Sequence, residues 1–245
     1  MTALSLPDYD TLPPVEGMPK GCAWSVFDKD GKKDVYRTLN LLTPKVIREA
    51  GAEVRDGVSI SLNWPLDSMN KFAIEGRKQT IHTVHSLHST GLNDGLGWDD
   101  ELDFNAQGSS QWDSLVHWQH QETGLAYNGF KPTQPTPRRR GSTTTPLDGY
   151  RITVRDIEAV AAHQGVAFKQ GDIFILTTGI TAIFDTPEPA DLAKMAQRKL
   201  SGAHGTEKTA RWFWDRHFAD GAEAPMTSLV LQPYFLSLLG MPIGE

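Results

Sequence analysis

A single cysteine, Cys22, stands among 245 residues. One thiol cannot build an internal disulfide framework, so the chain suits a reducing compartment, and Cys22 reads as a buried or loop thiol without a role. Long apolar runs are missing as well. Nothing approaches the roughly 20 continuous apolar residues that cross a bilayer. Residues 1–14 have neither the charged start nor the apolar core of a secretory signal. No membrane partner is expected, and the cytoplasm is the expected location. Positive charge is in deficit, with 24 Lys and Arg against 30 Asp and Glu and a formal net charge of −6, which argues against nucleic acid as a partner. The one basic run, Arg138-Arg139-Arg140, lies among prolines and reads as a solvated loop.

What is present is an ordinary globular composition, 39% hydrophobic and 22% charged, in a chain long enough to bury a sizeable core. Residues 1–40 are rich in proline, glycine and charge and read as an irregular arm laid over a domain. Thr43-Pro44 opens a helix carrying Val46, Ile47, Ala50 and Val54, which Gly57 should end. Val58 to Leu62 alternates apolar and polar, the pattern of a half-buried strand. A second helix opens at Thr153, with Asp156 completing a capping box, and stops near Gly165. The apolar run Ile173-Phe174-Ile175-Leu176 predicts a strand covered on both sides. Thr186-Pro187 starts a third helix. Thr206 starts a fourth, with Ala210, Phe213, Trp214 and Phe218 toward the core. Interleaved helices and strands predict an α/β fold in a single domain, 1–245. Residues 131–149 lack periodicity and read as a low-complexity loop, functional or linking.

The densest polar cluster runs from Asn105 to Trp118. Asp113 and His117 are four residues apart, the spacing at which one helical turn aims a carboxylate and an imidazole at one point. Such a pair can hold a divalent metal, or the carboxylate can orient the imidazole as a general base. Trp112 and Trp118 flank the pair as candidate walls of a substrate pocket, or as core. His82, His85 and His88 recur every third residue and read as strand-face or surface histidines. His120, three residues after His117, is a candidate second partner for that imidazole.

The run Gln107-Gly108-Ser109-Ser110-Gln111-Trp112-Asp113-Ser114-Leu115-Val116-His117 resembles the His-x-Gly-Thr-His-x-Asp-x-Pro-x-His motif of the cyclase-like metal-dependent hydrolases, a group that includes bacterial kynurenine formamidase. Asp113 and His117 match, Ser110 stands for the threonine, and glutamines replace both earlier histidines. A divergent branch in fungi and bacteria reads closer to Gly-Thr-Gln-Trp-Asp-Gly. The text at Ser59–Leu66, Tyr127-Asn128-Gly129 and Gly240–Glu245 is similar to that branch too.

The resemblance implies a three-layer β/β/α, swivelling-domain-like fold whose members form dimers or tetramers. It implies a divalent metal, manganese or zinc, that activates water against an amide, cyclic imide or lactone carbonyl of a small-molecule substrate. Carried over residue by residue, the ligand set is Asp113, His117, Gln111, Gln107 and Glu245, with His117 also as the acid/base. The histidine expected about a dozen residues before Glu245 is absent from Leu231-Gln232-Pro233-Tyr234. Amide oxygens are weak zinc ligands, so this set leans toward manganese. A metal-free version keeps an Asp113-oriented His117 to activate water, with Gln111 hydrogen-bonding substrate. The family fold is expected to continue past Glu245. The leading expectation is an arylformamidase-like hydrolase, with N-formylkynurenine as type substrate. Its rival is a truncated or catalytically impaired relative that only binds a small molecule.

Overall fold

The structure is a computed structural model that describes residues 4–71, 77–89, 96–132, 149–180, 183, 186, 188–196, 201–222 and 231–244. It forms two compact units, one made of residues 1–58 and 112–245, the other of residues 59–111.

The larger unit is mixed α/β. Helix α1 (Pro44–Gly51) is capped by Thr43, whose hydroxyl accepts from the Val46 N–H. It ends at Gly51 rather than Gly57, and none of its residues is buried. Glycine inside the last turn is a poor helix former, and Gly57 instead takes a left-handed φ of 64° in the following loop. Helix α2 (Val154–Gln164) has the expected capping box between Thr153 and Asp156, and Gly165 closes it in the left-handed region at φ 68°. It buries Val154, Ile157 and Ala161, while Val160 stays exposed. Helix α3 (Pro189–Ala196) begins beyond the predicted Thr186-Pro187 start. Helix α4 (Glu207–Asp215) is capped by Thr206 and buries Ala210, Phe213 and Trp214.

Among the described residues of this unit are two small parallel sheets. Strands β3 (Arg151–Ile152) and β5 (Gly202–Ala203) pair with each other. Strands β4 (Ile173–Ile175), β6 (Asp220–Ala222) and β7 (Ile243–Gly244) form a sheet in the order β4-β6-β7. The sequence predicts a β4 covered on both sides. Only Phe174 is buried, whereas Ile173 and Ile175 are about half exposed, so the continuous apolar run overstates the cover. Phe174 joins Phe168, Trp212, Phe213 and Phe218 in a cluster of edge-to-face and tilted rings, with Phe174 and Phe213 centroids 5.0 Å apart. Such contacts add to the area each ring buries.

The N-terminal arm is stitched to this core. The Trp214 indole donates to the Pro7 carbonyl, the Tyr9 N–H donates to Asp215, and the Trp24 indole donates to the Ser237 carbonyl. Tyr9, Cys22, Ala23 and Phe27 are buried, and burial pushes the Cys22 thiol up to about 11, keeping it a neutral core group. A π-helical segment, Pro233–Leu239, packs Phe235, Leu236, Leu238 and Leu239 inward and ends at Gly240 in the left-handed region.

The smaller unit is an antiparallel pair of β1 (Ile81–Ser86) and β2 (Trp98–Asp103). The strand predicted over Val58–Leu62 does not form. Val58, Ile60 and Leu62 are all exposed, and no described segment offers them a ladder partner, so alternation alone has nothing to be half-buried against. His82 and His85 lie on β1 facing the acidic β2, at 3.0 Å from Asp100 and 3.5 Å from Glu101. These are cross-strand imidazole–carboxylate contacts, in keeping with the strand-face reading. Most of the 131–149 loop lies outside the described residues.

Candidate functional site

Asp113 reaches its place through the backbone. Its N–H donates to the Ile243 carbonyl at 2.7 Å, and Trp112 forms an antiparallel bridge to Gly244. Trp112 and Asp113 are thereby pinned to the edge of the β4-β6-β7 sheet. A Cβ on Gly244 would meet the Trp112 ring at 3.1 Å, so the small residue lets the indole lie flat there. Trp112 remains 58% exposed, free to wall a ligand site.

The Asp113–His117 spacing does not sit on a helix. Residues 115–117 form a turn closed by the His117 N–H donating to the Ser114 carbonyl at 2.8 Å. This turn brings His117 Nε2 to 3.8 Å from Asp113 Oδ2. The Asp113 side chain is fully buried, while that of His117 is 29% exposed. A separation of 3.8 Å is ion-pair range and longer than a hydrogen bond. Catalytic pairs are often loose in the free enzyme and tighten on substrate. Trp118 stacks obliquely beside His117, with centroids 6.4 Å apart, and packs against the core. It is more wall of the fold than of a pocket. His120 is spent elsewhere: it bridges Leu125, and its Nδ1 lies 3.0 Å from the Thr123 hydroxyl.

Gln107 and Gln111 belong to the smaller unit. Asn105 caps the turn at Ala106–Gly108 by accepting from the Gln107 N–H, and the two glutamine amides lie 3.2 Å apart. The Arg77 guanidinium donates to the Gln107 backbone carbonyl at 2.8 Å and to its side-chain oxygen at 3.4 Å. A fixed cation at that amide oxygen opposes a second cation there.

Glu245 lies outside the described residues. Among the described residues, no group of three His, Cys, Asp or Glu side chains is placed to hold a metal. Asp113 and His117 supply two donors, and catalytic metal sites commonly need three. The described donor set therefore does not make a metal centre by itself.

The unit holding Asp113 and His117 also has an open cleft of about 440 Å³ that the sequence did not announce. Ser114, Leu115 and Val116, the residues between the pair, form part of its wall, together with Lys33, Arg37 and Tyr127. Asp220 on β6, which interacts electrostatically with Arg37, is buried, and desolvation pushes its carboxyl up to about 7. Desolvation likewise lowers the Arg37 guanidinium and raises the Tyr127 phenol. The signal in sequence was faint: Tyr127-Asn128-Gly129 stood out only by resemblance, and Arg37 and Asp220 not at all.

With this geometry in view, the sequence matches the putative cyclase family over residues 60–222. The chain belongs to that family. A crystal structure described as that of a novel cyclase superposes on this family member with a TM-score of 0.71. It is 22% identical, and the match covers 91% of this chain and 85% of the other. That likeness shows a shared mixed α/β fold. None of the curated proteins compared is similar in sequence.

Proposed function

We propose that this cyclase-family chain is a hydrolase of a small amide or cyclic amide or lactone, with His117 as general base and Asp113 as its orienting carboxylate. The observation that carries the reading is the buried Asp113 carboxylate 3.8 Å from the partly exposed His117 imidazole. The carboxylate facing Nε2 orients the ring with its proton on that nitrogen, so Nδ1 is left to take a proton from water. The water oxygen attacks the carbonyl carbon. The protonated imidazole then returns the proton to the leaving nitrogen or oxygen as the C–N or C–O bond breaks.

A divalent ion, manganese ahead of zinc, belongs to the family-based expectation. It would polarise the carbonyl or acidify water. The two donors seen together do not fit it alone, and the proton path above runs through the chain's own residues. N-formylkynurenine and other formylated anilines are the proposed substrates, and isatin-like rings or lactones come next. The three-layer β/β/α arrangement and a dimer or tetramer are part of the same proposal.

The second reading, a binding protein that has lost catalysis, is favoured by one observation: Arg77 holds the oxygen of Gln107, a residue that replaces a family histidine. The test is a turnover screen of formanilide, N-formylkynurenine, isatin and a simple lactone, with and without added manganese. Turnover of any of them supports the hydrolase. Binding without turnover of all four supports the second reading.

A further inference from the structure

We propose that the cleft of the larger unit is a carboxylate-binding site, taking a small organic anion with an apolar or aromatic body on Arg37 and Tyr127. The proposal stands apart from the hydrolase reading and uses neither Asp113 nor His117.

Three observations converge. First, Arg37 lines the cleft and forms no ion pair with any described carboxylate. Its Nε donates to the Val35 carbonyl at 3.2 Å, and its backbone N–H donates to Asp34. Asp34 and Asp220 act on the guanidinium only from beyond ion-pair distance, so its planar fork, made for a bidentate anion, is left open. Asp34 lines the cleft too, but its oxygens accept from the Arg37 backbone N–H and the Asn40 amide and form no ion pair with the guanidinium.

Second, Tyr127 lines the same cleft and is 4% exposed, yet its buried hydroxyl has no hydrogen-bond partner among the described residues. Buried phenols nearly always find one, so an unmatched donor calls for an acceptor that the chain does not supply. The Tyr127 ring is fixed from behind by Gly240, where an added Cβ would have three ring atoms within 2.9 Å. The lining of one cleft thus brings together a guanidinium and a phenol with an unmatched O–H, two groups that donate to a carboxylate.

Third, Arg37 adopts φ 62°, a left-handed conformation that side-chain-bearing residues rarely take. Backbone strain of this kind collects at functional sites and asks for a reason. The wall is rigid around it. Asn128 is bonded by the Ser25 N–H and to Asp28, and the Lys33 ammonium donates to the Asn128 carbonyl at 2.6 Å. Lys33 and Lys131 add positive charge at the cleft, and Val35, Val116 and Phe130 expose apolar surface beside it. The volume of about 440 Å³ suits a small organic molecule.

The experiment is calorimetric titration of the full chain with benzoate, and with benzamide as its neutral isostere. Arg37→Gly and Tyr127→Phe are titrated alongside. Glycine accepts φ 62° without strain, so Arg37→Gly should fold with an unliganded Tm at or above wild type. We expect wild type to bind benzoate and not benzamide, Arg37→Gly to lose at least about tenfold in affinity, and Tyr127→Phe to lose less. Equal benzoate affinity in wild type and Arg37→Gly would overturn the proposal. So would benzamide binding as tightly as benzoate, or wild type failing to bind benzoate at millimolar concentration.

Discussion

The N–H of Asp113 donates to the carbonyl of Ile243 at 2.7 Å, so the carboxylate facing His117 is held by a sheet edge more than a hundred residues away in sequence. Position and orientation come from β7, and the local turn at Ser114–His117 only has to bring the imidazole round. The Trp112–His117 part of the motif and the C-terminal Met241–Gly244 segment are therefore one structural object. A lesion in either should register in the other.

Gly240 offers a direct check of that coupling on the Tyr127 side. Its φ is 63°, and a Cβ there would run into the Tyr127 ring. Gly240→Ala combines a left-handed penalty with a displaced buried aromatic, and should cost about 2–4 kcal/mol. Urea denaturation measures the loss. Near-UV circular dichroism should change with it, because a buried tyrosine moves.

Asp220 makes stability depend on pH in an unusual direction. Burial raises its carboxyl from an ordinary 3.8 to about 7, so between those values the folded chain holds a proton that the unfolded chain has released. Stability from this group is full below about pH 4 and declines as pH rises toward 7. The decline is on the order of 4 kcal/mol at about 1.4 kcal/mol per unit. Asp220→Asn cannot ionise and should lack the decline. Urea midpoints of both proteins from pH 4.5 to 8 decide it: the variant gains on wild type as pH rises, and parallel curves would remove Asp220 as the cause.

Thr153→Ala removes one half of the capping box at α2, where the Thr153 hydroxyl accepts from the Asp156 N–H and the Asp156 carboxylate accepts from the Thr153 N–H. The expected loss is about 1 kcal/mol. The shift should read out as a lower urea midpoint with an unchanged slope.

Caps and helix faces were the most legible features in the sequence. Thr43, Thr153 and Thr206 all cap as read, and Phe213 and Trp214 are core, because these signals are local. Failures arose where a neighbour decides the outcome. Val58–Leu62 has strand alternation without a strand to pair with, and the two- and three-residue strands β3, β5, β6 and β7 are too short for any period to show. At the site, Asp113 and His117 lie 3.8 Å apart, on a sheet-pinned loop where their spacing suggested a helical turn. Arg37, Tyr127 and Asp220 come together only through long-range contacts: Thr38 donates to the Ala219 and Gly240 carbonyls. No spacing rule could have announced that.

The account's central claim is that Asp113 and His117 act as one base. Its most direct test is kcat for hydrolysis of the best formylated aniline by wild type, His117→Ala, Asp113→Asn and the double variant. The prediction is a loss of about a hundredfold or more for His117→Ala, with the double variant no worse than that single one. A near-wild-type rate in His117→Ala, or losses that multiply in the double variant, would contradict it.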